Sequence, residues 1–131
     1  VQEDVMDIRT KRIYESAAAE DGRRVLIDRL WPRGVSKEEA KLDAWVKDVA
    51  PSTELREWYG HDPQRYDSFQ EKYRQELKNL PAAQAAVKEL LAMVQEGRVT
   101  LLYAAKDKTE NPAVVLKDYL EKAGKGKAGG L

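Results

Sequence analysis

Apolar and polar residues alternate imperfectly over residues 5–13 (VMDIRTKRI), which predicts a first strand. YESAAAEDGRR then reads as a loop that ends in an Asp-Gly turn signal, and branched residues over 25–30 (VLIDRL) predict a second strand. Asp28 and Arg29 fall at its carboxyl end. Ser36, followed by Glu38 and Glu39, reads as the N-cap of a short helix with acids in its first turn. Leu42–Val49 fits a strand or a helix by spacing, and the closely following Pro51 favours extended chain. Ser52 caps a short helix, TELREWYG, closed by Gly60.

Periodicity is clearer in the second half. Asp62-Pro63 is a cap with proline at the first helical position, and Tyr66, Phe69, Tyr73 and Leu77 share one helical face, read as core. After Pro81, Val87, Leu90, Leu91 and Val94 form the stripe of a helix closed by Gly97. Residues 99–105 (VTLLYAA) are continuously apolar, as in a strand buried on both faces. Asn111-Pro112 repeats the cap-then-proline device and opens a last helix carrying Val115, Leu116, Tyr119 and Leu120. The pattern predicts one α/β domain over residues 1–123 and a flexible C-terminal tail, GKGKAGGL, over 124–131. A doubly buried strand separated from its predecessors by helices implies a mostly parallel sheet with helices packed on its faces. Such sheets bind ligands outside the carboxyl ends of their strands.

Composition narrows the function classes. Lys+Arg and Asp+Glu both number 23 in 131 residues, and a zero net charge argues against a generic nucleic-acid binder without excluding a local basic patch. No cysteine is present, which removes disulfides, thiolate metal sites and cysteine nucleophiles and suits a reducing compartment. The single histidine, His61, cannot build a histidine metal cluster. No apolar run approaches the ~20 residues of a membrane span, and the N-terminal stretch lacks a signal-peptide apolar region. A cytoplasmic protein with no membrane partner is expected. Neither a cofactor nor an oligomeric state is indicated.

The carboxyl-end rule selects the candidate chemistry. Asp28, Arg29, Trp31, Arg33 and Gly34 follow the second strand; Tyr103, Lys106, Asp107 and Lys108 follow the last, ahead of Asn111. If the strands are parallel, both groups share one sheet edge. Two arginines, a lysine and two helix N-termini there would suit a phosphate or carboxylate. Each residue also has an ordinary structural reading. Arg29 and Arg33 can pair with Asp28 or Asp107, Lys106 and Asp107 can form a solvated turn, and Asn111 reads first as a helix cap. Trp31, Trp45 and Trp58 read as core or rim packing. His61, in GHDP, is either a turn histidine or a general base oriented by Asp62 or Asp107. GxxxxGK[ST], GxGxxG, HExxH and a Ser-His-Asp spacing are all absent, so proton-handling chemistry would fall to Asp28, Asp107, His61 or Lys106.

DRLWPRG at 28–34, Asp43 with Trp45, APS at 50–52, LREWYGHDP at 55–63 and LLYAAKD...NPAVVL at 101–116 together resemble the YeaO-like family of uncharacterised bacterial proteins, a branch of domain-of-unknown-function family 488. The resemblance runs from about residue 6 to residue 121. It implies a small cytoplasmic α/β protein and no established activity. The positions it carries over are Arg29, Trp31, Pro32, Arg33, Gly34, Trp58, His61, Asp62, Tyr103, Lys106, Asp107 and Asn111. Tyr59 departs from the phenylalanine expected in many relatives. Pro112 stands where a polar residue is common, which weakens a side-chain role just after Asn111.

Two functions of different class follow. In the first, Arg29, Arg33, Lys106, Trp31, Tyr103 and Asn111 hold a small anionic ligand while His61, Asp107 or Asp28 handle protons. In the second, Arg9, Lys11, Arg12, Arg23 and Arg24, with Lys122, Lys125 and Lys127, touch nucleic-acid phosphates in a salt-dependent association. The missing basic recognition helix counts against the second.

Overall fold

The computed structural model describes residues 6–129, and side chains through residue 124. Four strands, β1 (Ile8–Arg12), β2 (Arg23–Leu26), β3 (Ala44–Trp45) and β4 (Val99–Tyr103), form one sheet in the order β1-β4-β2-β3. Every pairing is parallel. The helices are α1 (Lys37–Ala40), α2 (Thr53–Tyr59), α3 (Tyr66–Asn79), α4 (Pro81–Glu96) and α5 (Pro112–Gly129), with single 3-10 turns at Ala19–Asp21, Lys47–Val49 and Pro63–Arg65.

All five residues of β4 are buried because the strand is flanked on both sides and covered on both faces. Side chains alternate across the sheet, so neighbours along a strand serve different cores. Val25 and Leu101 join Phe69, Tyr73, Leu90 and Leu116 beneath α3, α4 and α5. Leu26 and Leu102 join Ile13 and Ala40 on the opposite face, against Trp31 and Trp45. The helix starts follow their caps. Ser36 Oγ accepts from the Glu39 amide at 3.0 Å while Glu39 accepts from the Ser36 amide at 3.2 Å, a reciprocal capping box. Ser52 Oγ accepts from the Leu55 amide at 3.1 Å, and Asn111 Oδ1 from the Val114 amide at 3.1 Å.

Several boundaries differ from the sequence expectation. β2 begins at Arg23 and stops at Leu26, and Leu30 is 65% exposed rather than within the strand. Arg24 conceals the true start, because a charged residue inside a strand is invisible to an apolar pattern. It is only 4% exposed, and Asp21 makes that burial tolerable: Arg24 Nη1 donates to Asp21 Oδ2 at 2.6 Å and Arg24 Nε to the Ala40 carbonyl at 2.9 Å. Asp21 also accepts from Lys11 at 3.1 Å and from the Ala18 amide at 3.0 Å, and its carbonyl accepts from Thr100 Oγ1 at 2.7 Å. In the ambiguous 42–49 stretch only Ala44 and Trp45 are strand, and Lys47–Val49 is a 3-10 turn. Asp62-Pro63 likewise caps a 3-10 turn that leads into α3. α5 continues to Gly129, across the start of the segment the composition sets apart as a tail. Val5, where the first strand was expected to begin, and residues 130–131 lie outside the described residues.

Candidate functional site

β2 and β4 run side by side in parallel, with Leu26 opposite Leu102, so the segments after them leave the sheet at one edge. Two hydrogen bonds tie those segments together. Ile27 donates its amide to the Leu102 carbonyl at 3.1 Å, and Asp28 Oδ2 accepts from the Ala104 amide at 2.9 Å. Beyond that junction the chains part around a cleft of about 1010 Å³, which α2 closes on a third side.

Asp28, Arg29, Trp31, Arg33, His61, Lys106 and Asp107, all selected from the sequence, line this cleft. Tyr103 and Asn111 do not. Both are buried, and Asn111 is occupied as the cap of α5 and as a donor to the Asp107 carbonyl at 2.8 Å. The convergence of two free helix N-termini is also corrected. Only α5 reaches the cleft with its N-terminus, where Pro112 lines the wall and Asn111 caps the Val114 amide, whereas no α1 residue lines the cleft and the α1 terminus carries its own Ser36–Glu39 box.

The loop after β2 is braced rather than loose. Trp31 Nε1 donates to the Val35 carbonyl at 2.6 Å, and Trp45 Nε1 to the Asp28 carbonyl at 2.7 Å. The two indoles meet edge-on at 5.3 Å. Tyr14 Oη donates to the Arg33 carbonyl at 2.9 Å and fixes the far side of the loop. Arg29 Nη2 donates to the Ala50 carbonyl at 3.2 Å, while its buried Nε has no partner among the described residues. Trp58 sits outside the core, 37% exposed, with Arg65 and Lys72 over its ring at 5.2 and 5.0 Å.

The three carboxylate and imidazole candidates occupy different environments. Burial, the largest influence on Asp28, lifts its carboxyl above the usual aspartate range, although the Ala104 amide and Arg56 pull the other way. Asp107 behaves oppositely. Its Oδ1 accepts from the Glu110 amide at 2.9 Å and from the Thr109 amide at 2.8 Å, which holds its carboxyl below the ordinary range. It thereby builds the turn that leads into α5. His61 is exposed, and it follows Gly60 with φ at +59°, a left-handed conformation that a histidine rarely adopts. Asp62 is directed to the Gln64 amide at 3.0 Å, so neither expected orienter is bonded to His61 among the described residues.

Asp28 yields a prediction with a definite sign. A carboxyl whose folded pKa is raised supports stability below its unfolded pKa, and that support is lost as pH rises through the folded value. Asp28→Asn keeps an acceptor for Ala104 and removes the ionisation. It is expected to match or exceed wild-type stability at neutral pH, with a flatter pH dependence. Asp28→Ala should lower stability by about 1–3 kcal/mol because the Ala104 amide loses its acceptor. Urea unfolding from about pH 4 to about pH 8 measures both, and a wild-type curve that gains stability from Asp28 as pH rises would refute the assignment.

Arg56, Glu57, Tyr14 and Tyr59 line the cleft without having been selected from the sequence. Thr53, Arg56 and Glu57 stand at helical spacing on one face of α2, so the face is legible. What it faces depends on how α2 docks. The basic residues proposed for nucleic acid are committed elsewhere: Lys11 and Arg24 to Asp21, Arg23 to Glu96, Arg9 to Asp7, Lys122 to Asp118, and Arg12 to the Ala105 carbonyl at 2.9 Å. The side chains of Lys125 and Lys127 lie outside the described residues.

The family described as "Inactive DUF488-N3 subclade" matches residues 7–130, nearly the whole chain including both strand ends and α2. The chain belongs to this DUF488-N3 subclade. It is 43% identical over 115 residues to the Escherichia coli K12 protein YeaO, covering 88% of this chain and 97% of YeaO. It is 42% identical over 113 residues to the Mycobacterium tuberculosis protein Rv3073c, covering 86% of this chain and 92% of the relative, and equally similar to Mb3100c of Mycobacterium bovis. All three relatives are named as uncharacterized proteins. No solved structure matches this DUF488-N3 chain. No group of three or more His, Asp or Glu residues able to hold a metal occurs among the described residues, and no helix there is long and apolar enough to cross a membrane.

Proposed function

We propose that the cleft at the carboxyl edge of the sheet binds a small anionic ligand, bearing a phosphate or a carboxylate. One observation carries the reading. Arg33, Arg56 and Lys106 line the cleft as exposed side chains and form no ion pair or side-chain hydrogen bond among the described residues, whereas the other basic clusters of the sheet are internally paired. Four cationic groups, with Arg29 included, stand against three carboxyl groups, Asp28, Glu57 and Asp107. Guanidinium groups supply paired donors that match carboxylate and phosphate oxygens.

Binding rather than turnover is the reading best supported. Asp107 spends one carboxylate oxygen, Oδ1, on a turn, His61 has no orienting carboxylate bonded to it among the described residues, and the family is described as inactive. The test uses wild type and the Arg33→Ala/Lys106→Ala double variant, melted with and without a panel of phosphorylated and carboxylated metabolites. A ligand at one hundred times its Kd is expected to stabilise wild type by about 2.7 kcal/mol, and the double variant should lose nearly all of that gain. Equal shifts in both proteins would remove the site from consideration.

A further inference from the structure

The cleft lining is sorted by depth. Its deep residues are apolar and buried: Pro32, Ala50, Pro51 and Tyr59, the last with its ring stacked on Phe69 at 4.4 Å and 21°. Its exposed residues are mostly polar, the cations Arg33, Arg56 and Lys106 with the carboxylates Glu57 and Asp107, and include the 65% exposed Leu30. A bare inorganic anion would use the outer cations and leave the rest of a cleft of about 1010 Å³ filled with water. That volume lies at the upper end of the roughly 300–1,000 Å³ typical of pockets for drug-sized organic ligands. Apolar walls with a few placed polar groups select a body that gains by leaving water. Asp28 supplies such a polar group: one oxygen takes the Ala104 amide and the other makes no hydrogen bond among the described residues.

Resting on the anion-binding reading, we propose that the ligand is amphipathic: a phosphate or carboxylate carried on an aromatic ring, with the anion at Arg33, Arg56 and Lys106 and the ring held between the apolar floor beside Asp28 and the side chain of Leu30. The ring contributes hydrophobic contact, and its polar edge, where it has one, meets the free oxygen of Asp28. The cations fix which end faces outward.

Calorimetric titration of the full chain tests this with six probes: inorganic phosphate, glycerol 3-phosphate, phenyl phosphate, benzoate, adenosine and adenosine 5′-monophosphate. Phenyl phosphate or adenosine 5′-monophosphate is expected to bind at least about tenfold more tightly than glycerol 3-phosphate. Benzoate against phenyl phosphate tells which anion the cations prefer. Leu30→Asn, at an exposed position that should not impair folding, is expected to erase much of the ring's gain and leave glycerol 3-phosphate binding unchanged. Equal affinities for phosphates with and without a ring, all dependent on Arg33 and Lys106, would overturn the amphipathic ligand and leave the anion site standing. A gain untouched by Leu30→Asn would overturn the placement of the ring. Adenosine binding as tightly as its monophosphate, or no binding by any probe, would overturn both readings.

Discussion

Asp21→Ala is expected to lower the unfolding free energy by about 3–5 kcal/mol, although Asp21 lies in the turn before β2 and takes no part in the cleft. The reason is what it leaves behind. Arg24 is 5% exposed at its side chain and would keep its charge with the Ala40 carbonyl as its one acceptor among the described residues, while Lys11 would lose its carboxylate and Ala18 its acceptor. The effect has a pH signature. Burial acts most strongly on Asp21 and pushes its pKa up, but the Ala18 amide, Lys11 and Arg24 together outweigh it and hold the carboxyl below the ordinary value. Its contribution is therefore complete above the unfolded-state pKa of about 3.9 and drains away as pH falls through the lower folded value. Chemical denaturation should show a large gap between variant and wild type at neutral pH that narrows in acid. A gap that widens on acidification would contradict the assignment. Because the cleft does not include Asp21, the variant should still bind the same anions wherever it remains folded.

The same residues show why part of this fold is legible in the sequence and part is not. Ser36, Ser52, Asp62, Pro63, Pro81 and Asn111 act within a few residues of themselves, through caps and fixed φ angles, and the helix starts follow from them directly. β4 is legible because burial on both faces demands a continuous apolar run. Arg24 is the opposite: its strand position depends on Asp21 and on the Ala40 carbonyl, which sequence spacing does not bring together. β3 is set by pairing to Val25 and Leu26 rather than by any pattern of its own. In the cleft, Asp28, Arg29, Arg33, Lys106 and Asp107 follow from a rule about strand ends. Tyr14 and Arg56 enter through packing, one by its hydroxyl on the Arg33 carbonyl and the other through the docking of α2. Tyr103 and Asn111 show the limit of the rule: closeness to a strand end in sequence does not distinguish a side chain that turns outward from one that turns into the core.

Phe69→Ala carries the second large expectation, a loss of about 3–5 kcal/mol from an emptied core position. Phe69 is fully buried and stacks on three rings, with centroids 4.4 Å from Tyr59, 6.1 Å from Tyr66 and 5.8 Å from Tyr73. Removing it withdraws the backing of Tyr59, which forms part of the cleft floor. Stability and cleft geometry should therefore suffer together, unlike in Asp21→Ala. Phe69→Leu keeps much of the volume and is expected to cost about 1 kcal/mol. Urea midpoints rank the three proteins, and a loss below about 1 kcal/mol for the alanine variant would show that the ring stack contributes far less than its burial implies.

The two outer strands of the sheet have a consequence for how copies of this chain meet. Exposed strand edges invite pairing with other chains, and proteins blunt them with short strands and charged side chains. Here one edge, β3, is only two residues long, and the other, β1, carries Arg9, Lys11 and Arg12 within its five residues. A neighbour seeking to extend the sheet meets too few open backbone groups on one side and, on the other, long basic side chains already held by Asp7, Asp21 and the Ala105 carbonyl. Edge-to-edge aggregation is thus opposed by the same strands that close the sheet.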